Sequence, residues 1–157
     1  MRTDVKHRGW TISAEGNDLA DRFLESVFFT GNGRMGARGY PAYRPIRRPL
    51  DAGLFLAGFY DRISDSTELT DFVNLPTPIW YQIRLNGRIP AIPSHLSRAL
   101  DLRTGLLTFR YRLSIADDWV DVQEQRFFSL AKPSFLFQRL EFQGRGQVEL
   151  LAGIDHQ

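Results

Sequence analysis

Gly31-Asn32-Gly33-Arg34-Met35-Gly36 carries the G-x-G-x-x-G spacing that lets a backbone cradle a dinucleotide pyrophosphate at a helix N-terminus. The residues that follow, Ala37-Arg38-Gly39-Tyr40-Pro41, cannot open a helix, and no βαβ alternation surrounds them. A kinase-type glycine loop would need a strand lysine shortly afterwards. None lies between Lys6 and Lys132. The spacing therefore indicates a tight glycine turn inside a β-domain. His7, His95 and His156 stand far apart and without ligand spacing, so they indicate no metal site. Glu25, Asp51, Asp61, Asp65, Asp71, Asp101 and Asp155 could supply the paired carboxylates of a glycosidase, but their spacing pairs no two of them. No G-x-S-x-G elbow supports Ser-His-Asp chemistry.

The elements that would position these residues are strands. Ile79, Tyr81, Ile83 and Leu85 alternate with Trp80, Gln82, Arg84 and Asn86, and Asn86-Gly87 is a strong hairpin-turn signal. Leu107, Phe109, Tyr111, Leu113 and Ile115 alternate with polar residues up to a turn at Ala116-Asp117-Asp118, and Trp119-Val120-Asp121-Val122 starts a return strand. The sets Ile79/Tyr81/Ile83/Leu85 and Leu107/Phe109/Tyr111/Leu113 are expected to face one core. Two further strands are expected over 134–142 and 147–154, joined by Gln143-Gly144-Arg145-Gly146. Only 17–26, with Leu19, Phe23 and the Asp18/Asp21 start, resembles a short helix. Short strands with turns between them predict an all-β antiparallel sandwich. The sequence stops in or just after the last strand, as a chain cut at a domain boundary does, and 1–157 is expected to form one domain.

Composition narrows the function classes. The chain has 157 residues, 43% of them apolar, with 12 Phe and no Cys, which excludes disulfides and thiolate metal sites. No apolar run approaches the ~18 residues of a membrane span, and no apolar segment follows the basic start, so a cytoplasmic protein without membrane attachment is expected. Net charge is +2. The densest cations, Arg44, Arg47 and Arg48, lie in a proline-rich loop rather than beside stacking aromatics, which argues against nucleic acid.

Four segments in order also resemble the start of family 65 glycoside hydrolases. Residues 25–39, from Glu25-Ser26-Val27-Phe28 through Gly31-Asn32-Gly33 to Arg38-Gly39, resemble that family's glycine-rich stretch. Residues 53–61, ending Phe59-Tyr60-Asp61, are similar to its "GTYIAGVYD". Val73-Asn74-Leu75-Pro76 and Asp101-Leu102-Arg103-Thr104-Gly105-Leu106-Leu107 match two more motifs. The chain departs from the pattern at Tyr40-Pro41-Ala42-Tyr43-Arg44, where paired acids are usual, and at Thr77-Pro78.

This resemblance implies an N-terminal, galactose mutarotase-like β-supersandwich that precedes an α/α-barrel catalytic domain in a trehalose, maltose or kojibiose phosphorylase or hydrolase. It implies inverting cleavage of an α-glucosidic disaccharide. Inorganic phosphate is then the co-substrate of a phosphorylase, with no other cofactor or metal. The acid and the phosphate site belong to the barrel or later segments, so no catalytic residue is expected here. The sandwich is expected to pack on that barrel and to aid a homodimer. Glu25, Gly31, Asn32, Gly33, Gly36, Arg38, Gly39, Tyr60, Asp61 and Asn74 are the motif residues expected at a domain interface or cleft edge, with the 31–39 segment facing the barrel. Two alternatives stay open. A stand-alone carbohydrate-binding module would expose aromatics such as Trp80, Trp119, Tyr40 or Tyr43. A mutarotase-like epimerase would need a His and a Glu together on the concave face.

Overall fold

The computed structural model describes residues 4–16, 22–43, 53–62, 70–91, 93 and 95–154. Most of the regular structure is antiparallel. Strands β1 (Val5–Arg8), β2 (Thr11–Gly16), β9 (Leu96–Asp101), β10 (Leu106–Ile115), β11 (Asp118–Phe128) and β12 (Leu136–Arg145) form one sheet in the order β1-β2-β9-β10-β11-β12. Smaller sheets accompany it. They pair β13 (Val148–Ala152) with β8 (Tyr81–Leu85), join β3 (Thr30–Gly31), β4 (Met35–Ala37) and β5 (Leu54–Leu56), and pair β6 (Tyr60–Arg62) with β7 (Thr70–Phe72). The sheets built on β8 and on β3–β5 contribute to the core of the large one. One short helix, α1 (Arg22–Val27), precedes β3. The expected helix start at Asp18 and Asp21 lies outside the described residues, as do Arg44, Arg47 and Arg48.

Side-chain period decides the two faces. On β10 Leu107, Phe109, Tyr111 and Leu113 are buried, while Arg110, Arg112 and Ser114 face solvent. On and beside β8, Ile79, Tyr81, Ile83 and Leu85 are all buried. Of these, Ile79, Tyr81 and Ile83 join the β10 set in one core cluster with Phe28, Leu96, Val120 and Val122. Branched and aromatic side chains on a pleated surface fill such a core without helical packing. Asn86 and Gly87 adopt positive φ, 50° and 73°, and close a tight turn in which the Arg88 amide donates to the Leu85 carbonyl at 3.1 Å.

The partner of β8 differs from a simple hairpin. Arg88 makes only an isolated bridge to Leu85, and β8 pairs along its length with β13. The expected connection 143–146 is also shorter than the sequence suggests. Gln143, Gly144 and Arg145 continue β12, and only Gly146, at φ 114°, and Gln147 link it to β13. Gly144 explains the continuation, because a Cβ there would collide with the backbone of Trp119 on the neighbouring strand.

Candidate functional site

The glycine segment folds as a β-hairpin. Thr30 pairs with Ala37 and Gly31 with Gly36, and Asn32, Gly33 and Arg34 make the turn. Gly33 takes φ 84°, where a side chain would be strained. Asn32 holds the turn from both sides. Its Oδ1 accepts the Arg34 and Met35 amides at 3.1 and 3.0 Å, while its Nδ2 donates to the carbonyls of Ser129 and Pro133 at 2.8 and 3.0 Å. The same side chain thus shapes the hairpin and ties it to the β11–β12 connection, which the Asx-turn habit of asparagine permits.

Behind the hairpin the chain is packed closely. The Gly39 amide donates to the Glu25 carbonyl at 2.7 Å, and a Cβ on Gly39 would collide with Phe28. Glu25 is itself buried in α1. Arg38 is half-buried; its amide donates to the Gly53 carbonyl at 3.0 Å and its carbonyl accepts Nη2 of Arg126 at 2.8 Å. Its side chain lies against Gly53, where a Cβ would sit 2.7 Å from Cγ.

On the outside, the hairpin supports a row of rings. Phe29 stacks on Phe55 at 6.4 Å between centroids, Phe55 meets Phe72 edge-on at 5.9 Å, and Phe72 packs on Tyr60 at 5.2 Å. Gly36 makes room for this row, because a Cβ there would press into the Phe29 ring, while a Cβ on Gly31 would meet the Met35 carbonyl of the facing strand. Phe59, Tyr60 and Phe72 nevertheless keep 52%, 55% and 57% of their surface exposed. Register sets the exposed Asp61 opposite Asp71 beside these rings. Asn74 is exposed next to the Leu54–Leu75 bridge. A cleft of about 560 Å³ opens at one end, between Asn32, Arg34, Ala57, Phe59 and Pro133.

The structure therefore brings all ten sequence-derived site residues to one region: Gly31, Asn32, Gly33, Tyr60, Asp61 and Asn74 on its outer side, and Gly36, Arg38, Gly39 and Glu25 beneath or behind it. The aromatic row itself was not anticipated. Its signal was the placement of Phe29, Phe55 and Phe72 in or beside the motif strands. Conversely, Tyr40, Tyr43 and Trp80 are buried and present no sugar-stacking face. Tyr40 bonds Thr77 at 3.1 Å and Tyr43 donates to the Pro90 carbonyl at 2.8 Å, so these hydroxyls serve the core. Trp119 is half-buried under the Arg112 guanidinium, 4.1 Å from the ring centroid.

A second feature escaped the sequence reading. The inner face of β11 continues from Val120 and Val122 into Glu124 and Arg126, both fully buried. Glu124 accepts the Ala42 amide at 2.9 Å, the Tyr81 hydroxyl at 3.1 Å and Nε2 of Gln138 at 3.4 Å, and faces Arg126 at 3.5 Å. Burial pushes its carboxyl above the usual range, against the pull of Arg126 and of these donors. Glu124 and Arg126 are wholly buried and bonded to the 38–42 segment, β8 and β12, so the network braces the fold. Among the described residues no three His, Asp or Glu side chains converge to hold a metal ion, and no helix is long and apolar enough to cross a membrane.

The described residues thus form a layered antiparallel β-domain whose motif-built hairpin supports a row of partly exposed rings. The sequence profile described as "Glycosyl hydrolase family 65, N-terminal domain" matches residues 14–157, and the chain belongs to that family. It is 26% identical over 123 residues to the trehalose 6-phosphate phosphorylase of Lactococcus lactis subsp. lactis (strain IL1403), covering 71% of this chain and 16% of that protein. In structure it is similar to a protein assigned as a kojibiose phosphorylase from human microbiome, with TM-score 0.78 and 16% identity, over 93% of this chain and 21% of the other. The chain thus spans about one-sixth to one-fifth of the length of these relatives.

Proposed function

We propose that this chain is the non-catalytic N-terminal β-domain of a family 65 enzyme that cleaves an α-glucosidic disaccharide, and that the hairpin face docks on the catalytic remainder. The observation that carries the reading is the coincidence of motif and surface. The residues that carry the family resemblance build a face that a domain on its own would have no reason to cover with rings. Exposed apolar patches of this kind mark interaction surfaces. The parent uses inorganic phosphate as its second substrate, in keeping with the phosphorylase relatives, and the domain supplies shape and stability rather than reacting groups.

The test is an assay of the 157-residue chain on maltose, trehalose and kojibiose, with and without phosphate. Neither glucose nor glucose 1-phosphate should accumulate above buffer. Release that is lost on heating would place catalytic groups in this domain and end the proposal.

A further inference from the structure

Away from the hairpin face, the outer side of the six-stranded sheet carries a cleft of about 790 Å³. It is walled by His95, Arg110, Arg112, Asp121, Gln123 and Glu141. Its size falls in the range of small-ligand sites, about 300–1,000 Å³. The polar groups are ordered, not scattered. Register sets Ser97, Arg110, Gln123 and Glu141 in one row across four strands and Arg112, Asp121 and Gln143 in the next.

Hydrogen bonds along these rows fix the side chains. Arg110 Nε donates to Gln123 Oε1 at 2.8 Å, and Gln123 Nε2 donates to Glu141 Oε2 at 2.8 Å. Arg112 grips both oxygens of Asp121 through Nε and Nη2 at 2.6 and 2.7 Å. A guanidinium has five donors and a carboxylate about four acceptor sites, so each group keeps capacity after these bonds. Arg110 and Arg112 face Asp121 and Glu141 across the cleft, whose lining residues carry no formal excess charge, and Arg139 outside the lining pairs with Glu141 as well. That balance disfavours phosphate and nucleic acid, and Tyr111, Val122 and Phe142 add apolar wall between the polar groups, a mixture suited to a sugar ring with hydroxyls at its edge. A hydroxyl, which both donates and accepts, satisfies alternating leftover donors and acceptors.

We propose that this cleft binds a neutral saccharide of mono- or disaccharide size through the Arg110–Gln123–Glu141 and Arg112–Asp121 rows. The site shares no residue with the hairpin face, so its failure leaves the docking role untouched.

Titration of the 15N-labelled chain with maltose, kojibiose and trehalose tests it. At least one sugar should shift amides of β9–β12 around Ser97, Arg110, Gln123 and Glu141, saturating at a dissociation constant of about 1 mM. Inorganic phosphate should not shift them. Arg110→Ala and Glu141→Ala, both on the outer face, should each weaken binding about tenfold or more without lowering the melting temperature. No saturating shift up to about 50 mM, shifts confined to other strands, a response to phosphate alone, or unchanged binding in both variants would each overturn the proposal.

Discussion

The Tyr81 hydroxyl on β8 donates to Oε2 of Glu124 on β11 at 3.1 Å, joining the small sheet to the large one through the middle of the core. Tyr111 bonds the same hydroxyl, so one buried carboxylate organises two tyrosines from opposite layers. Buried polar groups are costly unless partnered, and the loss of a partner exposes that cost. Tyr81→Phe should destabilise the domain by about 1–3 kcal/mol in urea unfolding, since it strips a donor from Glu124 and a partner from Tyr111. A loss under about 0.5 kcal/mol would mean that the network adds nothing to the layer contact.

Stability should depend on the protonation of Glu124. Unfolded, the carboxyl titrates near its ordinary value of 4.5; folded, burial raises it. The folded state then keeps a proton that the unfolded state has released. The stabilising contribution is fully present below about pH 4.5 and is lost as pH rises through the folded value. Glu124→Gln removes this titration, so its melting temperature should fall less than the parent's as pH rises from about 4.5 towards neutrality. Parallel curves for the two proteins would assign the pH dependence to other groups.

Phe109 sits between Arg98 and Glu124 in register, fully buried, with the Arg126 guanidinium 5.2 Å from its ring centroid. Phe109→Ala should cost about 3–5 kcal/mol, through lost burial and a cavity left beside a buried charge. A cost below about 1 kcal/mol in denaturant titration would show that the site collapses freely and that the core is not close-packed.

Strand phase was the most legible part of the fold. Period-two alternation placed Leu107 to Leu113 and Ile79 to Leu85 on buried faces because each run is long and unbroken. Strand partners were less legible, since alternation says which face is buried but not which strand lies alongside. Thus Asn86-Gly87 signalled its turn correctly while β8 found β13 as its neighbour. Glu124 and Arg126 hid the second half of β11, because charged residues at inward positions break the apolar pattern that marks a strand. Family motifs located the hairpin face, yet the aromatic row depends on three separate strands meeting in space. No spacing within the chain records that.

Packing, not ligand chemistry, accounts for Gly39 at the back of the hairpin. Gly39→Ala should lower the melting temperature of the chain strongly, because the added Cβ meets Phe28 and its carbonyl with little room to move. Circular dichroism melting measures this directly. An unaltered melting temperature would show that α1 and the 38–40 segment separate easily and that the close approach is incidental.

The docking role is tested most directly by removing rings that the isolated domain scarcely needs. Phe59 and Phe72 are more than half exposed. In the 157-residue chain, Phe59→Ala combined with Phe72→Ala should change stability by only about 1 kcal/mol, as exposed apolar truncations do. In the enzyme that carries this domain joined to its catalytic remainder, the same pair should lower the melting temperature and the disaccharide-cleaving rate together. Docking predicts that contrast between the two settings. An enzyme with unchanged stability and rate would contradict it, and the aromatic face would then be surface alone.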